Sequence, residues 1–369
     1  MSPSSHRMPL IDAFKGIASQ LIVLHHLSAY GPMPLAAQAV LPGTLGWLYE
    51  YARMAVQVFL VIGGFLAARA LSDNGQALTR SPLALIWKRY LRLAIPYLAA
   101  IGLAIIGAAI ADHWMDDEAI PDRATLAQWL AHAFLLQSLL GYDSLSAGVW
   151  YIAIDFQLFA LMAILLWLGR VRYLAPALVL LVTTSSLFWF NRDADWDNWA
   201  LYFFGSYGLG AAAWWASSRK QMLAWLGVIA TIAIAALILD FRLRIALALT
   251  VALVLGFSRR SGLLERWPDA KSLAFLGQIS YSVFLVHFPI CLIANALFAN
   301  LGFTSPTAAV FGLFLAWTAS IAGGTLFYRW IESPVASRRI TGALGGLFGK
   351  GLELARKVPG LASLLARRA

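Results

Sequence analysis

Asp12, Lys15, His25 and His26 stand within an otherwise apolar run, from about Pro9 to Tyr30. Ionisable groups in such a run are expensive and are functional candidates by default. Positions 12, 15, 19, 22 and 26 advance by three and four, so on a helix Asp12, Lys15, Ser19 and His26 share one face. Lys15 and His26 are then about 16 Å apart along the axis, and His25 points roughly 100° away from that stripe. An imidazole titrates near neutrality and can take the proton of an attacking hydroxyl, so His26 is a candidate general base with His25 beside it. Interhelical hydrogen bonding without chemistry is the plain alternative. A bis-histidine haem site fits less well, because His287 is the only other deeply placed histidine.

Two further groups call for partners. Lys88, Arg89 and Arg92 in WKRYLRLAIPY are helical neighbours and make a basic patch. Such a patch either anchors the chain at a membrane surface or clamps phosphate, for which paired guanidinium groups are suited. In the run Val149-Trp150-Tyr151-Ile152-Ala153-Ile154-Asp155, an aspartate lies a few residues into an apolar helix, one turn beyond Tyr151. It needs a histidine, an arginine or water, and a structural ion pair is the simplest solution.

The elements that hold these residues follow from composition. The 369 residues are 60% hydrophobic and only 12% charged, with a mean hydropathy of +0.72. A soluble domain carries roughly twice that charged fraction. Apolar windows of about 20 residues recur throughout, so the expected fold is an all-α polytopic membrane bundle of about ten transmembrane helices. They are expected at residues 9–30, 48–71, 90–111, 149–168, 173–190, 198–216, 222–239, 244–257, 273–298 and 307–330. The apolar segment Leu126–Leu140 is short and is expected at the interface rather than across the membrane.

Loop charges test that count. Arg69, Arg80, Lys88 and Arg89, then Arg170 and Arg172, Arg219 and Lys220, Arg259 to Lys271, and Arg338 onward fall in alternate loops. The intervening loops hold Asp112, Asp116, Asp117, Glu118, Asp122, Asp193, Asp195 and Asp197. The positive-inside rule then puts both termini in the cytoplasm, with the loop near Arg242 as its one weak exception. The same rule explains the net charge of +10 without nucleic acid. The charged first span is not a cleaved leader. Residues 1–335 are expected to form the membrane domain, and 336–369 a basic, amphipathic cytoplasmic tail. The single cysteine, Cys291, excludes an intrachain disulfide and a cysteine-based metal site.

These residues occur in an order that resembles the acyltransferase-3 family of membrane-bound O-acyltransferases. The family opens with a basic residue, ten residues, then histidine, as Lys15 to His26 do. Phe59 to Leu66 resembles its second-helix pattern, and Arg89, Arg92, Pro96 and Tyr97 its basic segment. Trp150 to Asp155, Ser280 to Pro289 and Ile331 to Pro334 resemble three later motifs. Lys15 replaces the commoner arginine, Gly63 a serine and Asp155 a glutamate.

The resemblance implies transfer of an acyl group, by family habit acetyl, from cytosolic acyl-CoA to a hydroxyl of a surface or exported carbohydrate or its lipid-linked precursor. His26 and Asp155, with His25, are the implied catalytic set; Lys15, Arg89, Arg92, Trp150 and Tyr151 are the implied donor-binding set, and no metal is expected. In this scheme Asp155 orients or stabilises the imidazole. The implied setting is a bacterial inner membrane, among lipids and polysaccharide-synthesis machinery. A multi-span exporter of a glycan precursor is the main rival, since it explains the spans and the charged stripe equally well. A non-catalytic scaffold needs no such stripe.

Overall fold

The computed structural model describes residues 7–170 and 174–342. The described chain is all-helical, with seven helices long and apolar enough to cross a membrane. Its main elements are α1 (Pro9–Ala29), α2 (Pro32–Ala37), α3 (Pro42–Tyr51), α4 (Val56–Leu71), α5 (Pro82–Trp114), α6 (Leu126–Ala133), α7 (Trp150–Leu168) and α8 (Leu174–Phe188). They continue with α9 (Ala200–Ser217), α10 (Met222–Leu239), α11 (Leu243–Ser261), α12 (Leu263–Arg266), α13 (Lys271–Asn300) and α14 (Pro306–Phe327). Helical structure therefore lies at each of the expected spans. The seven candidates omit α1, α9 and α11. The amphipathic tail expected over 336–369 falls almost wholly outside the described residues; only 334–342 are seen, as helix.

Two neighbourhoods organise the bundle. In one, α9 is sheathed by α4, α8, α10 and α11. In the other, α13 is flanked by α1, α5 and α14. Both rely on glycine for backbone contact, the usual device where no hydrophobic difference separates helix from lipid. A side chain at Gly64 would overlap the Tyr207 carbonyl, and one at Gly277 would overlap the backbone of Asp12. Large apolar residues such as Leu83, Ile106, Leu181, Ile238 and Phe311 point outward, as residues facing acyl chains do.

Arginines fasten both ends of the bundle. At one end Arg259 reaches the Trp214 carbonyl at 2.7 Å, and Arg219 the Asn74 carbonyl at 3.4 Å. At the other, Arg242 donates to Asn191 Oδ1 at 2.8 Å and to the Leu187 carbonyl at 2.9 Å, while Arg244 donates to the Asn191 carbonyl at 2.7 Å. The basic exception to the loop charges thus consists of arginines engaged in stapling α8 to α11.

The segment between α5 and α7 packs back against α5. The Tyr90 hydroxyl donates to the Ala133 carbonyl at 2.7 Å, although Tyr90 precedes the end of α5 at Trp114 by about 36 Å of helix. Leu135 and Leu145 pack with Leu93, Tyr97 and Ile101, whereas Ala119 and Ala147 lie with Ala108 and Ala111. The chain therefore folds back along α5 and returns. His132 fastens the path: its Nδ1–H donates to the Gln128 carbonyl at 2.9 Å, and its Nε2 accepts from the Leu145 N–H at 3.1 Å.

Candidate active site

The stripe on α1 faces α13, and His26 meets His287 there. His26 Nδ1 lies 2.6 Å from His287 Nε2, and both rings are buried. His287 Nδ1 in turn lies 2.6 Å from the Phe284 carbonyl. The imidazole planes are within 6° of each other with centroids 4.8 Å apart. Together with the short N···N distance, this places the rings edge to edge rather than face to face. Gly148, just before α7, presses on them: a Cβ there would stand 3.3 Å from His26 Cε1 and 3.1 Å from Phe284 Cζ. Its φ of +81° is a conformation that only glycine adopts freely.

His25 turns away, as the helical spacing requires. Its Nδ1–H donates to the Leu48 carbonyl of α3 at 3.2 Å, and its ring lies 6.0 Å from that of Tyr49. Beyond the histidines, a cavity of about 600 Å³ opens between Ser28, Tyr30, Gln38, Tyr49, Asp117 and Glu118. Tyr30 joins this cavity to the site, its ring 5.6 Å from His26.

Asp155 does not serve His26 in this structure. Its Oδ2 pairs with Arg89 Nη2 at 2.5 Å, and the side chains are 11% and 27% exposed. The hydrogen-bond partner expected from Asp155 is supplied to His26 by His287. The reason is position: α7 descends from Gly148, so Asp155 lies about two turns below the level of the histidines. Arg89, in turn, spends much of its charge on that carboxylate rather than on an exposed clamp. Tyr151 bridges the two layers, its ring 5.8 Å from Phe284 and 6.0 Å from Phe59. Trp150 leans on Phe203 at 5.6 Å.

Lys15, Arg92 and Glu332 lie near enough to feel one another's charge. Glu332 accepts from Ser282 Oγ at 2.5 Å, which ties the end of α14 to α13. Arg92 is exposed, so this layer combines a free guanidinium with a half-buried ammonium. His287 and Glu332 were absent from the expected site. Both lie inside the late motifs Ser280–Pro289 and Ile331–Pro334, the signal by which they could have been found.

Four side chains near these layers hold buried polar atoms with no partner among the described residues: Arg89 Nε, Tyr97 Oη, Gln137 Oε1 and Nε2, and Ser146 Oγ. Buried polar groups ordinarily find partners, so a run of exceptions around one site points to groups that meet water or a bound molecule.

A bundle of apolar helices around ionisable side chains defines an integral-membrane protein with an internal polar site. The chain belongs to the acyltransferase-3 family: the family's acyltransferase domain matches residues 9–327, nearly the whole chain. That membership makes it a multi-pass membrane acyltransferase. No curated protein and no solved structure matches it.

Proposed function

We propose that this protein transfers an acyl group, by family habit acetyl, from cytosolic acyl-CoA to a hydroxyl of a surface or exported carbohydrate or its lipid-linked precursor. The reading places it in a bacterial inner membrane with about ten spans and both termini in the cytoplasm. The observation that carries it is the vertical order of groups on α1. Lys15 lies with Arg92 near the basic end, and His26 sits about 16 Å further along the same face, next to the cavity at the opposite end.

Donor phosphates dock on Arg92 and Lys15, with Arg89 held by Asp155 as a lesser contributor. The pantetheine arm extends past Tyr151 toward His26. The acceptor enters through the cavity beside Tyr30 and Tyr49. His26 takes the hydroxyl proton as the oxygen attacks the thioester carbonyl, a contribution of about 10²–10⁴-fold.

The test is acetyl-CoA binding by titration calorimetry on detergent-purified protein, alongside CoA release. Arg92→Ala is expected to weaken binding by about tenfold, the loss of one charge-assisted contact. His26→Ala is expected to bind acetyl-CoA normally and release no CoA. Normal turnover by His26→Ala would remove the catalytic assignment; unchanged affinity in Arg92→Ala would remove the clamp.

A further inference from the structure

We propose that His287 is a positioning residue that sets the tautomer of His26, an inference that rests on His26 being the base. The argument begins at a backbone oxygen. The Phe284 carbonyl can only accept, so His287 Nδ1, 2.6 Å away, carries the proton and donates it. In a neutral imidazole the other nitrogen is then bare. That bare Nε2 faces His26 Nδ1 at 2.6 Å. Two lone pairs do not approach so closely, so His26 Nδ1 carries its proton and donates. His26 Nε2 is left with its lone pair and has no hydrogen-bond partner among the described residues, and 8% of the residue's surface remains open.

A histidine free in water favours the opposite tautomer, whose protonated Nε2 could not take the acceptor's proton at this position. The chain from Phe284 through His287 reverses that preference and orients the ring. The near-coplanar, edge-to-edge arrangement is the one this relay of two hydrogen bonds requires.

The dyad also follows the charge through the reaction. As the acceptor oxygen bonds to the thioester carbon, its proton passes to His26 Nε2 and the ring becomes a cation. The carbon–sulfur bond then breaks with its electron pair on sulfur, and the thiolate takes the proton from Nε2. Throughout, His26 Nδ1–H donates to His287 Nε2, a hydrogen bond strengthened while His26 is charged. In a serine-protease triad a carboxylate performs this task. A neutral imidazole performs it without placing a negative charge in an apolar interior.

The chain has six histidines, so nitrogen-15 histidine spectra of the full-length protein in lipid are simple enough to assign with His26→Ala and His287→Gln. In the wild type without substrate, His26 is expected to be protonated at Nδ1 and bare at Nε2. In His287→Leu it is expected to revert to the Nε2–H form. With acetyl-CoA and p-nitrophenyl β-glucoside as probes, kcat for CoA release falls about 10²-fold or more in that variant, with KM for acetyl-CoA unchanged. His287→Gln, whose Oε1 can accept from His26, retains the wild-type tautomer and recovers most of the lost rate. A wild-type His26 protonated at Nε2, or a tautomer unmoved in His287→Leu, overturns the inference. A purely structural His287 would give no selective rescue by glutamine. The spectra need no turnover: full activity in His26→Ala would end the base reading while leaving the measured tautomer as it stands.

Discussion

The α4–α9 seam and the α1–α13 seam begin alike and end differently. Each brings two backbones together over glycine, Gly64 against Tyr207 in the first and Gly277 against Asp12 in the second. Along α9 the contact never opens, and every residue from Ala200 to Ser217 except Leu201 is buried. Several of its polar side chains are paired in place, as where Ser206 Oγ donates to Gln57 Oε1 at 2.6 Å. Along α1 the contact gives way to paired imidazoles, and the nearby segment between α5 and α7 holds Gln137 and Ser146 without partners among the described residues. One seam is closely packed along its length; the other gives way to buried ionisable and unpaired polar groups.

The sharpest way to break this contrast is Gly64→Val. The new side chain would collide with backbone, which cannot swing aside, so little folded monomer is expected by size exclusion after expression. Recovery of normally folded protein would show that the α4–α9 seam is more compliant than its geometry indicates. A smaller effect is expected from Asp155→Asn, between the seams. It leaves Arg89 without its carboxylate, and the partial exposure of that guanidinium limits the loss to about 1–3 kcal/mol. The thermal midpoint should fall while His26 keeps its tautomer, because Asp155 pairs with Arg89 and not with the imidazole. A changed His26 tautomer would restore Asp155 to the role of orienting acid.

The smallest effect concerns pH. Burial pushes the His132 imidazole below its ordinary value of 6.5, opposed in part by its hydrogen bond to the Gln128 carbonyl. A depressed histidine favours folding above its unfolded value, and that stability is lost as pH falls below it. Protection against hydrogen exchange in residues 126–149, relative to the unfolded chain at the same pH, should therefore fall as pH drops below the ordinary value of 6.5. In His132→Gln that acid limb should vanish; its persistence would place the sensitivity elsewhere.

Much of the fold could be read from hydropathy because the membrane makes each helix declare itself locally. Met222–Leu239 emerges with the bounds expected of it. The stripe from Lys15 to His26 was equally local, a matter of helical arithmetic. What joins distant segments was not legible: His26 and His287 are 261 residues apart, and nothing in either helix names its partner. Asp155 needed a cation or a histidine, and its sequence surroundings could not decide between Arg89 and His26. The fold-back of the Leu126–Leu140 segment was hidden for a different reason. Its apolar residues are divided between outward-facing Trp129 and Phe134 and inward-facing Leu135, in a path with too little regular period to reveal a reversal.

The complete enclosure of α9 has a consequence for how the protein is made. A helix that meets no lipid is free to be rich in glycine, tyrosine and serine, and α9 is not among the helices apolar enough to cross a bilayer unaided. The same holds for α1 and α11, the former carrying the site's ionisable stripe. During synthesis these three gain shelter from more apolar neighbours. α1 is made long before its partner α13, which begins at Lys271. Biogenesis therefore carries His26 without the helix that buries it while more than two hundred residues are added.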